Sequence, residues 1–435
     1  MNWKINNKSK YKKKLDNAKG ERRAAIHSFH RYYGKLIPAI PNVFINEFTK
    51  ENDIVGDLFS GSGTVAVEAK LLNRDFIGCE VNPLSHLISK VKTTTYDIDL
   101  LNKINEIIEN KLYDLEYRKK TKVENVPYCI NIDHWFKPEV QSDLMYIKSI
   151  IDETLKENVK KDEYDLYKDF YYSVISAIIR NVSNADPGTV FPGISKRIRR
   201  LEEEGKIHKN AIKTFINALK KRTKYFEIYT NNNNSNINII NENSVTADLN
   251  NYNGKVSLFV TNPPYISSVR YIETMKLEMY WLEYIKSSEE YGTLAKEMLG
   301  NDKVTKKEFA HLTKTKYDEI NTIIDDINIK SPKDAYIVAK YFNDMENIII
   351  KMNKLLKQNG KVVVKISDSN VKKTKVETGK FLTLIAEKHG FKLNTVFLDK
   401  INENSRSLTT ARNTYSDIIL NDNIIIWEKV GESNV

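Results

Sequence analysis

The sequence predicts an α/β chain whose core is a mostly parallel sheet. Short apolar runs bounded by turn residues alternate with stretches of helical period, the order that parallel strands joined by crossover helices require. One run passes through two glycines directly into a helical stretch, and a later one ends on a single acid two positions before an Asn-Pro pair.

The first strand is Asp53-Ile54-Val55-Gly56-Asp57-Leu58-Phe59, leading into Ser60-Gly61-Ser62-Gly63-Thr64 and then Val65-Ala66-Val67-Glu68-Ala69. Strand, glycine turn and helix in that order let the backbone approach a ligand that the helix N-terminus faces. The spacing is neither the full dinucleotide fingerprint nor a P-loop, because no Gly-Lys-Ser/Thr follows. The second strand, Asp75-Phe76-Ile77-Gly78-Cys79-Glu80, ends on an acid 17 positions after Gly63. An acid roughly 20 residues beyond such a turn is placed to bind two ribose hydroxyls; a generic nucleotide-binding crossover looks the same. A helix is expected over residues 83–91, further strands over 237–240, 256–260 and 360–366, and a helix over 335–356.

The fourth strand, Val256-Ser257-Leu258-Phe259-Val260, delivers Asn262-Pro263-Pro264-Tyr265. This tetrapeptide suits alkylation of a planar amino group, whose lone pair is delocalised into its ring. The Asn262 side-chain carbonyl and the Pro263 backbone carbonyl can each accept one amine hydrogen, drawing the nitrogen toward sp3 geometry. Proline offers its carbonyl without a competing N–H and stiffens the turn. Tyr265 supplies an aromatic face on which a flipped-out base can stack. An ordinary Asn-Pro turn after a strand is the plainer alternative.

Taken together these residues resemble the bacterial S-adenosylmethionine-dependent DNA methyltransferases of the amino-group type. Asp57 to Thr64 is similar to that family's cofactor motif, Glu80 to its ribose-binding acid, and Asn262-Pro263-Pro264-Tyr265 to its catalytic motif. Phe29-His30-Arg31-Tyr32-Tyr33-Gly34-Lys35-Leu36-Ile37-Pro38 resembles the segment that closes over the methionine end of the cofactor. The resemblance implies a class I methyltransferase Rossmann-like sheet, mostly parallel, with one antiparallel strand near the edge formed by residues 391–397 and 423–427. It implies that S-adenosyl-L-methionine is held by Tyr32, Lys35, Asp57, Phe59, Ser60, Gly61, Gly63, Thr64, Glu80, Asn82, Pro83, Asn243 and Ser244. Asn262, Pro263, Pro264 and Tyr265 are then the catalytic group, acting on double-stranded DNA by direct in-line transfer. Relatives with Asn before the two prolines mostly act on the 6-amino group of adenine, and those with Ser there, often after Thr, on the 4-amino group of cytosine. This chain combines Asn262 with Thr261, and adenine is favoured. A cognate restriction enzyme is a possible partner. An RNA base methyltransferase, a protein-glutamine methyltransferase and a catalytically silent DNA-binding subunit are the rival readings.

Composition fits a nucleic-acid partner. The 435 residues carry a formal charge of +11, and the excess is concentrated. Residues 1–35 hold eleven Lys/Arg against Asp16 and Glu21, and residues 196–226 hold eleven against Glu202, Glu203 and Glu204. Two basic blocks on an otherwise acidic chain suggest a phosphate footprint, with Lys196, Arg197, Arg199, Arg200, Lys220, Lys221 and Arg222 as its candidate contacts. The two cysteines, Cys79 and Cys129, argue against a disulfide framework. Neither follows proline, which disfavours the Cys-nucleophile chemistry of carbon-5 methylation. His27 and His30 have no partners in sequence that complete a zinc set, so no metal is expected. No apolar run approaches the ~20 residues of a membrane span and the Lys-rich N-terminus lacks an apolar signal core; a cytoplasmic location follows.

The expected layout is a basic N-terminal arm over residues 1–28, a catalytic domain over 29–95 and 236–435, and a mainly helical insertion over 96–235. The insertion, with helical spacing over 101–117, 141–158 and 167–182, is the candidate target-recognition region; residues 231–236 form a polar joint. Residues 266–300 read as a cap on the base pocket, 305–330 as a polar lid or DNA-contacting loop, and 367–377 as a Lys-rich loop near the substrate.

Overall fold

The fold is read from a computed structural model that describes residues 3–21, 24–121, 125–206, 209–228, 234–266, 270–300, 304–401 and 421–431. Parts of the expected basic arm, polar joint and pocket cap (residues 1–2 and 22–23, 231–233, and 267–269) lie outside the described residues.

Nine strands are present among the described residues: β1 Ile54–Asp57, β2 Asp75–Cys79, β3 Ile237–Ile240, β4 Val256–Thr261, β5 Leu356–Ile366, β6 Ser369–Val371, β7 Thr374–Val376, β8 Phe391–Lys400 and β9 Asn421–Lys429. Seven form one sheet in the order β3-β2-β1-β4-β5-β9-β8. Pairing is parallel from β3 through β5, and β9 is antiparallel to both β5 and β8. This is the expected mostly parallel, Rossmann-like sheet, with one antiparallel strand inserted next to the edge.

Alternation along the strands sends successive side chains to opposite faces. Val55, Leu258, Val260, Val363, Ile424 and Ile426 pack on one side with Ile40 and Phe44 of helix Ala39–Phe48. Ile77, Phe259, Val362, Val364, Ile425 and Trp427 pack on the other, under helices Pro332–Leu355 and Thr378–Lys388. Strands buried on both faces explain why the apolar runs read as nearly continuous.

The segment 96–235 carries helices Ile98–Tyr113, Leu115–Lys120, Ile132–Trp135, Pro138–Asn158, Tyr164–Val182, Lys196–Glu203 and Ala211–Ile228 among its described residues. Its apolar faces share one core with Phe29, with Leu84 to Val91 and with Ile272 to Ile285. The helices therefore stand on the catalytic sheet's flank and pack directly against the segment that follows Asn262-Pro263-Pro264-Tyr265. Among the described residues, no helix is long and apolar enough to cross a membrane.

Three expectations are corrected. The N-terminal block holds a docked helix, Lys10–Lys19, whose Leu15 and Ala18 are buried and whose Lys10 and Lys14 pair with Glu47. Residues 318–330 form no lid or loop but a helix, Asp318–Lys330, whose Ile320, Ile324 and Ile327 sit at i, i+4 and i+7 against Pro332–Leu355. The Lys-rich loop is a tight hairpin of β6 and β7, turned by Lys372 and Lys373 at φ of 51° and 63°. The packed helix gives a direct check. Ile324→Ala should lower the free energy of unfolding in denaturant by about 2–4 kcal/mol, the usual cost of emptying a fully buried Ile site; a loss below about 0.5 kcal/mol, the surface value, would restore the lid.

Candidate active site

The turn after β1 is built around its glycines. Gly61 and Gly63 lie at φ of +51° and +71°, and Gly63 is the N-cap of helix Thr64–Leu71. A Cβ on Gly63 would stand 2.6 Å from that of Ser89, and one on Gly61 would stand 3.0 Å from the Tyr32 hydroxyl. A side chain at Gly63 would therefore force a shift, and one at Gly61 would be strained in its backbone and crowd Tyr32. Beneath the turn the buried Lys92 donates to the Ser62 carbonyl at 2.5 Å. Burial drives its pKa well below the usual lysine range.

Glu80 stands at the end of β2 and accepts from the Gly61 N–H at 2.7 Å and the Asn82 N–H at 2.8 Å. Its carboxyl thus faces the turn, each oxygen holding one backbone donor and keeping a lone pair for a ligand. Asn82 caps helix Pro83–Thr93, accepting from Leu84 N at 3.0 Å and Ser85 N at 3.3 Å, and Pro83 opens that helix. Tyr32 stacks on Tyr271, ring centroids 5.8 Å apart and planes 21° apart. The Lys35 ammonium donates to the carbonyls of His27 (2.6 Å) and His30 (3.4 Å), tying down the turn before it.

β4 places the second half. Thr261, its last residue, donates its hydroxyl to Asp57 Oδ1 at 2.7 Å, and the same oxygen accepts from Phe59 N at 2.9 Å. Asn262 Nδ2 donates to the Gly34 carbonyl at 3.3 Å. Because that carbonyl can only accept, the amide orientation is set and Asn262 Oδ1 is the oxygen available to a donor. The Tyr265 hydroxyl lies 3.0 Å from Asp422 Oδ1 and 3.4 Å from Asn262 Oδ1, and receives the Lys365 ammonium at 3.3 Å.

Both halves open into one cavity. Of the expected cofactor residues, Tyr32, Lys35, Asp57, Phe59, Ser60, Gly61, Thr64, Glu80, Asn243 and Ser244 line it, together with Asn262, Pro264 and Tyr265. Gly63, Asn82, Pro83 and Pro263 are not among the lining residues. The first three shape the turn and the next helix rather than face the space. The end of the expected 266–300 cap, Glu297-Met298-Leu299-Gly300, closes one side of the cavity. Asn243 Nδ2 holds it by donating to the Glu297 carbonyl at 2.9 Å. Such a contact between distant segments leaves no local signal.

The basic candidates divide. Lys196, Arg199 and Lys221 are exposed. Arg197 pairs with Asp186 at 2.6 Å, Lys220 with Glu109 at 2.6 Å, and Arg200 with Glu204 at 3.6 Å. Arg222 is corrected: its guanidinium lies over the Phe29 ring at 5.6 Å and donates to the Ala218 carbonyl at 3.2 Å. Burial lowers its pKa to about 10. It is a packing residue on the inner side of helix Ala211–Ile228.

Two acids at the cavity are costly to charge. Burial pushes Asp57 up to about 7 against its bonds from Phe59 and Thr261, and pushes Glu80 up to about 7 against its backbone donors. A carboxyl raised in the folded state adds stability below its unfolded pKa near 3.8 and loses it as pH rises through about 7. Asp57→Asn keeps the acceptor for Phe59 and Thr261 while removing the charge. The variant should therefore exceed the wild type in stability by on the order of 4 kcal/mol at pH 8, the gap closing toward pH 4. A gap that is flat with pH in denaturant titrations would refute the buried charge.

The family model described as DNA methylase matches residues 2–90. The Type II methyltransferase M.MvaI of Kocuria varians is 26% identical over 383 residues, covering 83% of this chain and 81% of that protein. M.BsoBI of Geobacillus stearothermophilus, also a Type II methyltransferase, is 22% identical over 465 residues, covering 96% and 88%. M.MjaII of Methanocaldococcus jannaschii, likewise Type II, is 23% identical over 355 residues, covering 58% and 61%. The chain is thus similar in sequence to DNA amino-methyltransferases of restriction–modification type.

Proposed function

We propose that this chain transfers a methyl group from S-adenosyl-L-methionine to the exocyclic amino group of a base flipped out of double-stranded DNA. The observation that carries the reading is the shared cavity: Glu80 and Asn262, far apart in sequence, line the same space. The lining suits that cofactor. Gly61 leaves a bare backbone at the turn, and the Glu80 carboxyl is turned to the wall with lone pairs for two hydroxyls. When bound, S-adenosyl-L-methionine supplies a methyl group already activated on a sulfonium.

The chain's own residues do the rest. Asn262 Oδ1 accepts an amine hydrogen, localising the nitrogen lone pair toward the methyl. Tyr265 stacks on the base and holds its plane. The Tyr32–Tyr271 stack walls the cavity beside Gly61, excluding water from the sulfonium. Holding the two reactants in line supplies most of the acceleration. Exposed Lys196, Arg199 and Lys221 contact phosphates, giving binding that weakens with salt. The names of the relatives, Type II methyltransferases, support DNA as substrate. Thr261 is spent on Asp57, leaving Asn262 as the side chain that meets the base, and an Asn at this place favours adenine N6 over cytosine N4.

The test uses tritiated cofactor with duplex DNA and with tRNA, followed by nucleoside analysis of the product. N6-methyladenine or N4-methylcytosine in DNA upholds the amino-group reading and reports the base. Label in tRNA alone, or carbon-5 methylcytosine, overturns it. Asn262→Ala should reduce transfer by at least about 10²-fold, as loss of a group acting on the reacting atoms does, with cofactor affinity within about twofold by calorimetry. Substantial residual transfer would remove Asn262 from the reaction.

A further inference from the structure

We propose that Lys365, Asp422 and Ser367 form a positioning group that fixes the Tyr265 ring and keeps Asn262 Oδ1 free for the substrate amine. The inference rests on the methyl-transfer reading above and assigns a role to residues outside both motifs. Lys365 and Ser367 come from the end of β5 and its exit, and Asp422 from β9 beside them. The three close on one another: Lys365 pairs with Asp422, and the Ser367 hydroxyl donates to Asp422 Oδ1. Asp422 and Ser367 are buried, 5% and 0% exposed, so their bonds are shielded from water.

The Tyr265 hydroxyl has one hydrogen to give and lone pairs to receive. The Lys365 ammonium is donor-only and occupies a lone pair from 3.3 Å. Asp422 Oδ1 at 3.0 Å and Asn262 Oδ1 at 3.4 Å are acceptors within reach of that hydrogen. The nearer, charged acceptor takes it, since hydrogen bonds to ionised groups are the stronger ones. Two consequences follow. Bonded at the hydroxyl to both members of an ion pair, the ring cannot tilt freely about its side-chain torsions, so one face is presented to the base. And Asn262 Oδ1, relieved of the tyrosine hydrogen, meets the amine as an open acceptor. Without Asp422 the hydroxyl would turn to Asn262 and block it. Pairing Lys365 with Asp422 also leaves the group without net charge beside the sulfonium.

A buried ion pair stripped of one partner leaves a costly lone charge, so the informative change removes both, as Lys365→Met with Asp422→Leu. Tyr265→Phe separately deletes the hydroxyl while keeping the ring. Each should lower kcat about 10- to 100-fold, the scale of a misplacement near 1 Å, with KM for DNA and cofactor affinity within about twofold. Quenching of 2-aminopurine at the target base, read by its fluorescence lifetimes, should broaden from one stacked state to several. Combined with Tyr265→Phe, the Lys365/Asp422 change should cost no further activity, because all act through the same hydroxyl. Additive losses, or a double variant with wild-type kcat, would overturn the proposal. If the double variant does not fold, Tyr265→Phe with wild-type kcat and lifetimes overturns it alone. Absence of transfer by the wild-type chain would instead count against the methyl-transfer reading itself.

Discussion

The hydrogen bond from Thr261 to Asp57, at 2.7 Å, is the point on which the site is hung. β1 and β4 are parallel neighbours, so their carboxyl ends emerge side by side. Asp57 closes one strand and Thr261 the other, and the bond joins the glycine turn to the Asn-Pro-Pro-Tyr segment within a few atoms. Parallel strands in an open α/β sheet leave a crevice outside their carboxyl ends where ligands bind. Here the crevice is bounded by the turn, by the Tyr32–Tyr271 stack and by the strap that Asn243 holds.

This placement runs against stability. Asp57 and Glu80 are kept at the cavity with pKa values near 7 because burial opposes their charge. Lys92 is buried under the turn with its ammonium on a single carbonyl at 2.5 Å, and Lys365 and Asp422 form a buried pair beside Tyr265. Charged groups without water are expensive even when paired. Asp57 and Glu80 line the cavity itself, and acids shifted by burial in a cleft are candidates for a functional site.

Much of this was legible in the chain itself. The strands announce themselves as apolar runs because the sheet is covered on both sides. Gly61 and Gly63 stand out because their backbone conformation excludes other residues, and Glu80 and Asn262 because each directly ends or follows a strand. What could not be read depends on contacts between distant segments. Lys365 and Asp422 look like ordinary strand residues until β9 is laid beside β5. The helix Asp318–Lys330 was hidden by its Asn, Asp and Lys content, although Ile320, Ile324 and Ile327 keep helical spacing. Counting charge overstated the basic footprint, since it cannot see that Arg197, Lys220, Lys10 and Lys14 are paired or that Arg222 lies against Phe29.

The spatial claim at the centre is that one cavity brings a sulfonium methyl and the Asn262 carboxamide to opposite sides of a single base. A crystal structure of the chain with an unreactive cofactor analogue and a duplex carrying its target sequence would measure this directly. The analogue's ribose is expected on Glu80 and an extruded base stacked on Tyr265. The base's amino nitrogen should lie within hydrogen-bond reach of Asn262 Oδ1, roughly 2.7–3.2 Å. An analogue bound away from Glu80, or a target base still stacked in its duplex with Asn262 turned from the cofactor, would contradict the claim.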